Sequence, residues 1–516
     1  MTGAEAALQV ALEHGIEVCF ANPGTTELPL VAALDRCPAI RPVLGLFEGV
    51  CTGGADGYAR MAGKPALTLL HLGPGLANGL ANLHNARRAG TPIVNMIGEH
   101  ATWHVNADPP LASDIEALAR TVSRWIRTTR TAGEIRRDMG EAIAAAVEGP
   151  GIATLILPSD CQAGEALPMS RAGILPARAG RLPPVSDAAK TLRTAKRAGL
   201  LLGGSGLNEP GLLAAARVAA ATGCRLLCER VPARIERGAG LPAPERLLYF
   251  PEQLQAQLAD IEILLLAGAR EPVAFFGYPG TPSRPLSAEQ WVEVLAAPGE
   301  DAAGALEALA GELSAPAGGA GVLPGRAGNT PAPLPEGPLM RDSLAACLAA
   351  LELENAIIVD ESVTQNRGGF LLPDGWRRHS YLSVTGGAIG FGMPCATGAA
   401  VACPDRPVLN VQADGSAMYT IQALWTQARE GLNVTTVLCS NRSYAILRGE
   451  MRRAGQADPG LAAAQLTDLG RPDIDWVALA RGLGVPGCRV STAEDCLTAL
   501  RQAIAEPGPY LLQADL

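Results

Sequence analysis

The chain has 516 residues, with 42 Lys+Arg against 51 Asp+Glu and a formal net charge of −9. Net acidity without a basic run excludes a nucleic-acid binder, and no stretch approaches the roughly 18 uninterrupted apolar residues of a membrane span. Hydrophobic residues make up 48% and charged residues only 18%; the latter is low beside the roughly 25% usual in soluble domains, so contacts between copies of the chain are expected to cover part of the surface.

At roughly 100–200 residues per domain, the length suggests about three domains. The opening MTGAEAALQVALEHG has no basic leader and reads as an amphipathic helix. No signal peptide is therefore expected, and a cytoplasmic location follows. PVLGLF (42–47), PALTLLHL (65–72) and TPIVNMIG (91–98) read as buried strands, with ANGLANLHNARRA (77–89) as a helix between the last two. AGLLLGG (198–204) and IEILLLAG (261–268) repeat the pattern, as do NAIIVDES (355–362), RPVLNVQAD (406–414) and NVTTVLCSN (433–441). Continuous apolar strands separated by helices predict parallel sheets covered on both faces. Two Pro/Gly/Ala-rich stretches, near 165–184 and 315–338, read as linkers. The expected fold class is α/β, with three doubly wound parallel-sheet domains at 1–165, 180–314 and 335–516. Twelve cysteines scattered through apolar segments are expected to be reduced and buried, and Cys224 and Cys228 lack the second pair a zinc site needs.

The most informative spacing is Ala413-Asp414-Gly415-Ser416 with Asn441, 26 residues lying between Asp414 and Asn441. Asp414 and Asn441 each close an apolar strand, which in a doubly wound sheet places them at carboxyl strand ends, where ligands bind. The turn at Gly415 and Ser416 enters the segment MYTIQALWTQA and offers backbone N–H groups to a phosphate. A carboxylate and an amide oxygen are hard ligands suited to Mg²⁺ held through a diphosphate. Alone, the tripeptide is also consistent with an ordinary turn.

The pair at this spacing resembles the signature of thiamine diphosphate (ThDP) enzymes, with Ala413 where the family has the first Gly of GDG and Ser440 where it often has Asn. NPGTTELP (22–29), LGLFEGVCTGGADGYARMAGKPA (44–66) and HLGPGLANGLANL (71–83) resemble the amino-terminal blocks of the family that includes benzoylformate decarboxylase and acetolactate synthase. The resemblance spans the chain. It implies ThDP and Mg²⁺ as cofactors, with Asp414, Asn441 and Ser443 as metal ligands. Glu48 would be the carboxylate at the aminopyrimidine. By the match of VTGGAIGFGMPCATGAA (384–400), the Gly387 carbonyl would receive the 4′-amino group, and Ile389, stiff at χ1, would wedge between the two rings. DESVTQN (360–366) points to Val363 and Thr364 at the diphosphate. Pro23, Asn78, Gly415, Ser416 and Tyr444 complete the expected cofactor contacts. The implied reaction is decarboxylation of a 2-oxo acid through a C2 carbanion and an enamine. In this family each site lies between two subunits, so a homodimer is the expected minimum and a dimer of dimers the expected assembly.

For the substrate, the resemblance points to His71 and Thr25 beside the reacting carbonyl and to Leu111 at an apolar position. A second histidine expected within AREPVAFFGYPG (269–280) is absent; Phe275, Phe276 and Tyr278 occupy that region. His100 and His104 follow a strand and are candidates to compensate, equally consistent with surface positions. The segment GAREPVAFF stands where acetolactate synthases contact FAD and lacks their pattern, so no FAD is expected. A benzoylformate-type or other apolar 2-oxo acid is favoured. An acetolactate-synthase-type carboligase is the alternative, and a degenerate non-catalytic subunit a minor one.

Overall fold

The computed structural model describes residues 1–166, 185–313, 334–365, 369–456 and 460–516. Most of both linker readings lies outside the described residues. The first sheet contains β1 (Val18–Asn22), β2 (Arg41–Leu44), β3 (Ala66–Leu70), β4 (Ile93–Glu99), β5 (Trp125–Thr128) and β6 (Ile152–Pro158) in the order β2-β1-β3-β4-β6-β5. All its pairings are parallel. Its central strands β1, β3, β4 and β6 are buried on both faces. Leu67, Leu69, Val94, Met96 and Leu155 enter one core, and Ala66, Leu70, Ile93, Ile97 and Ile156 the other. This is the period of two expected of a doubly covered strand. The amino-terminal helix Gly3–Glu13 begins on a Thr2 capping box and buries its apolar face in the first of these cores.

The second sheet takes β7 (Ala198–Leu202), β8 (Arg225–Cys228), β10 (Glu245–Arg246), β11 (Ile263–Ala267) and β12 (Trp291–Ala296) in the order β10-β8-β7-β11-β12. One short strand of the middle segment, β9 (Ile235–Arg237), leaves it and pairs antiparallel with β14 (His379–Ser383) of the third sheet. Three residues are too few to register in a pattern reading of the sequence. The third sheet adds β13 (Ala356–Glu361), β15 (Val408–Ala413), β16 (Val434–Ser440), β17 (Gly487–Val490) and β18 (Tyr510–Asp515), in the order β17-β18-β16-β15-β13-β14-β9.

Each sheet has a point where the strand order reverses, between β1 and β3, between β7 and β11, and between β13 and β15, and the first and third turn back again at the β6-β5 and β18-β17 edges. Ligands of doubly wound sheets bind in the crevice outside such a point. The first and third sheets are joined by helices Glu48–Ala62 and Gly392–Ala402, which meet at small residues. A Cβ added to Gly57 would stand 2.1 Å from the Cys395 carbonyl oxygen, and one added to Gly398 1.8 Å from that of Gly54. Only glycine permits this approach. All twelve cysteines are unpaired, and all are buried except Cys403 and Cys488, which are half-buried. Among the described residues no helix is long and apolar enough to cross a membrane.

Candidate active site

At the reversal between β1 and β3 the chain places Pro23, Gly24, Thr25, Thr26 and Glu27 after one strand and His71 after the other. Glu27 is fully buried. Its carboxylate accepts the Gly24 N–H at 2.7 Å and the Thr26 hydroxyl at 2.7 Å. His71 Nδ1 lies 2.8 Å from the same group. An ionised Glu27 keeps the imidazole proton on Nδ1 and leaves Nε2 as the free lone pair. The sequence reading had singled out Thr25, which is exposed. It is the Thr26 hydroxyl that lies 3.4 Å from His71 Nδ1. Glu27 was missed because one acidic residue at the start of a helix looks like an ordinary N-terminal charge.

Glu48 opens its helix beyond β2 and is half-buried. Asn78 donates to its Oε2 at 2.9 Å. Glu48 and His71 flank the same glycine. A Cβ on Gly75 would lie 3.1 Å from Glu48 Oε1 and 3.5 Å from His71 Cβ.

Asn78, Asn82 and Asn85 form a stripe at i, i+4 and i+7 on helix Leu72–Ala89. Asn82 donates to the carbonyls of Gly49 (2.9 Å) and Gly390 (3.1 Å). Asn85 donates to the Ala388 carbonyl at 2.8 Å and accepts the Gly386 and Ala388 N–H groups at 3.2 Å. From the other side, buried Glu361 accepts the Gly390 N–H at 2.7 Å and the Gly392 N–H at 2.6 Å, while Gln412 donates to it at 2.8 Å. Burial pushes the Glu361 carboxyl up from its usual range. Segment 386–392, with Gly387 in the left-handed region (φ 75°) and Ile389 half-buried, is thus clamped between two sheets. None of these polar clamps was foreseen, although the amide stripe was legible as a spacing.

At the reversal between β13 and β15, Asp414 is buried. It accepts the Gly415 N–H at 2.8 Å and the Arg442 N–H at 2.7 Å. Burial raises its pKa above the ordinary aspartate value, and the backbone donors oppose the rise. Arg442 spends its guanidinium on Asp473 and Asp515, and no ion pair reaches Asp414 among the described residues. Asn441 Oδ1 accepts the Ser443 N–H at 3.0 Å, and the Ser443 hydroxyl donates to the Thr467 carbonyl at 3.2 Å. Ser416 donates to the Ala413 carbonyl at 3.1 Å. The Tyr444 ring fills the place beside Gly415, with Cε1 2.5 Å from where a Cβ would stand. A buried carboxylate with neutral donors and no cation is the chemistry a divalent ion completes.

Backbone strain falls on the same strand ends. Leu72 after β3, Val363 after β13 and Arg442 after β16 all have positive φ, at 53°, 54° and 53°. For a β-branched valine such a conformation is costly, and strain of this kind gathers at functional sites. Thr364 follows Val363 and is half-buried.

The predicted aromatic arm reaches segment 386–392. A Cβ on Gly387 would stand 2.9 Å from Phe275 Cζ. Phe275 packs on Phe276 and Tyr249, with ring centroids 4.9 and 5.3 Å apart. The Tyr278 hydroxyl donates to Glu450 at 3.2 Å, and Arg453 lies over the Tyr278 ring. Leu111 is exposed on the loop after β4.

Family models match both ends of the chain. The thiamine pyrophosphate enzyme N-terminal TPP binding domain matches residues 1–118, and the C-terminal TPP binding domain matches residues 372–514. The chain is 54% identical to the "Putative acetolactate synthase large subunit IlvX" of Mycobacterium tuberculosis, over 99% of this chain and 98% of that one. It is 30% identical to the benzoylformate decarboxylase of Pseudomonas aeruginosa, over 98% and 97%. Among solved structures, the thiamine diphosphate-dependent 4-hydroxybenzoylformate decarboxylase of Rhodococcus jostii superposes with a TM-score of 0.87 at 27% identity, covering 99% of this chain and 98% of that one.

Proposed function

The chain belongs to the thiamine pyrophosphate enzymes, as a decarboxylase or carboligase of the acetolactate synthase type, and from that premise we propose that it is a Mg²⁺-dependent lyase releasing CO₂ from an apolar 2-oxo acid. The observation that carries the substrate class is the Phe275–Phe276 wall standing against Gly387. When bound, ThDP supplies the nucleophilic carbon and the electron sink for loss of CO₂. Asp414 and Asn441, with Ser443, would hold Mg²⁺, and Val363, Thr364, Gly415, Ser416 and Tyr444 would seat the diphosphate. Glu48, oriented by Asn78, holds a proton at its carboxyl for the pyrimidine end. Gly387 and Ile389 would hold the middle of the cofactor, and Pro23 would contact its pyrimidine end. His71 Nε2, its tautomer fixed by Glu27, accepts and returns a proton at the substrate side. Leu111, Phe275, Phe276 and Tyr278 would exclude water and shape the acyl pocket.

Ligation to a second carbonyl is the alternative. The arm at 269–280 carries Tyr278 bonded to Glu450 and no imidazole, which favours an acyl group that survives long enough to meet an acceptor. No FAD is proposed. A homodimer or dimer of dimers in the cytoplasm completes the reading, and sedimentation with and without ThDP tests the assembly. The deciding experiment is a panel of 2-oxo acids with ThDP and Mg²⁺, reading CO₂ and organic products together. Benzaldehyde-type products support the lyase, acetolactate from pyruvate supports the ligase, and no CO₂ from any acid overturns both.

A further inference from the structure

Segment 386–390 is rich in glycine, and Gly387 and Gly390 both have positive φ, at 75° and 91°. Such a stretch has little conformational preference of its own. Its shape therefore depends on how its two ends are held. Thr385 precedes it and Phe391 follows it, and one buried side chain touches both. Arg60 lies in the last turn of helix Glu48–Ala62 and pairs with Asp56 one turn back; the two side chains are 2% and 0% exposed. Arg60 Nε and Nη2 donate to the two Asp56 oxygens at 2.9 and 2.6 Å. Nη1 donates to the Ser383 carbonyl at 2.8 Å and to the Ala233 carbonyl at 3.2 Å, and Nη2 to the Thr385 hydroxyl at 3.1 Å. The guanidinium carbon stands 4.7 Å over the centre of the fully buried Phe391 ring.

A guanidinium has five N–H donors, and here each meets an acceptor. The acceptors come from the helix itself, from the middle segment and from the chain on the amino side of 386–390. The frame around them is also bonded. Thr91 donates to Asp56 at 2.6 Å, the Thr385 hydroxyl donates to the Asn85 carbonyl at 2.7 Å, and Arg234 donates to the Arg60 and Met61 carbonyls at 3.1 and 3.2 Å.

We propose that Arg60 is a positioning residue for the cofactor: by fixing Ser383 and Thr385 on one side and Phe391 on the other, it sets the span of segment 386–390 and so the placement of Gly387 and Ile389. This deepens the reading above and rests on it for the segment's place at the cofactor. A lysine could not substitute, because it offers three donors on a rotating point charge and no plane to lie over a ring. Asp56 cancels the charge within the pair, so the clamp fixes the segment without adding a net charge.

The test is amide exchange, read peptide by peptide on the full chain without ThDP, together with ThDP affinity in the presence of Mg²⁺ by fluorescence quenching. In Arg60→Lys, exchange over 384–391 is expected to rise at least about tenfold while the peptides covering β3 and β16 keep wild-type rates. ThDP affinity is expected to fall by at least about tenfold with it, since a loosened segment must be ordered on binding. Thr385→Val, which keeps the shape and removes one of the five acceptors, decides the matter if Arg60→Lys does not fold. It should loosen the same peptide, and Thr385→Ser, which keeps the hydroxyl, should exchange as wild type. Unchanged exchange over 384–391 in the folded variants overturns the proposal. So does faster exchange spread evenly over every peptide, which a role in general stability alone would give. Local loosening with unchanged ThDP affinity overturns it too, because the clamp would then hold nothing the cofactor needs. Failure of the reading above looks different: no CO₂ from any 2-oxo acid in the wild-type protein, while exchange and ThDP affinity still move together in the variants, would discard the reaction and keep the clamp.

Discussion

Gly398→Ala tests whether the contact between helices Glu48–Ala62 and Gly392–Ala402 sets the placement of Glu48 and of the Gly387 segment, the two pieces that each chain brings to the sites it shares with its partner. The new methyl would lie 1.8 Å from the Gly54 carbonyl oxygen and 2.6 Å from the Tyr58 nitrogen. Both are backbone atoms and cannot swing aside, so restoring even a tight contact of about 3 Å needs the helices to part by roughly 1 Å. Alanine favours an isolated helix over glycine by about 1 kcal/mol, whereas overpacking a close contact costs about 1–3 kcal/mol. The protein should still fold, slightly destabilised. A displacement of about 1 Å between reacting groups can cost about 100-fold in rate, so CO₂ release should fall by that order, with a weaker ThDP affinity by fluorescence quenching. Activity within threefold of wild type in a folded Gly398→Ala protein would refute the claim that this contact positions the site.

Glu48→Gln should lower turnover by about 100-fold or more while ThDP still binds, since it removes the group that exchanges the proton and keeps its shape; wild-type rates would reject its role. Asp414→Ala should abolish Mg²⁺-dependent ThDP binding, a loss of at least about 100-fold by calorimetry, because it removes the one charged group among the proposed metal ligands. Ala413→Gly should be nearly neutral, and a large gain in ThDP affinity would show that the methyl costs binding. His379 on β14 is buried, which pushes its pKa down to about 4. The folded state therefore prefers the neutral ring, stability is fully present above about pH 6.5, and it is lost as pH falls toward 4. The loss at pH 5 is roughly 2 kcal/mol. Amide exchange along β14 at pH 7 and 5 measures it, and His379→Gln should flatten the difference.

The strands were legible because burial on both faces writes a continuous apolar run. IEILLLAG and NVTTVLCSN became Ile263–Ala267 and Val434–Ser440 with little trimming. The reversal points were not legible, since strand order is a long-range property that no local pattern carries. The site was readable where a residue type is rare at its position, as with Asp414 and Asn441 at apolar strand ends. It was unreadable where polar residues look like surface. Glu27 follows two threonines and precedes LPLV, as a helix N-terminus would, yet it is fully buried. Glu361 closes β13 in the DESVTQN segment, which was read only for Val363 and Thr364. Both needed the tertiary fold to show that their partners are backbone N–H groups or a histidine.

The bonds that hold segment 386–390 to the first sheet are almost all neutral. Asn82, Asn85 and His84 meet carbonyls or N–H groups there at 2.8–3.2 Å, each worth about 1 kcal/mol. The ion pair Asp56–Arg60 lies toward the opposite end of the helix from Glu48, where Arg60 also donates to the Ser383 carbonyl at 2.8 Å and the Thr385 hydroxyl at 3.1 Å and Asp56 accepts from Thr91 at 2.6 Å. Ion pairs could fix the same geometry, but their charges would shift every carboxylate within several ångströms. Amides position without adding a net charge. The local field is then left to Glu361, which holds the segment from the third sheet, and to Glu48, Glu27 and Asp414, the groups whose protonation or metal occupancy the reaction depends on. Replacing Asn85 by Asp tests that division. It keeps the acceptor for the Gly386 and Ala388 N–H groups but sets a carboxylate against the Ala388 carbonyl. The expected result is a pH-dependent loosening of segment 386–390 in amide exchange, growing as the new acid ionises. Identical exchange at all pH values would show that the neutrality of the clamp is incidental.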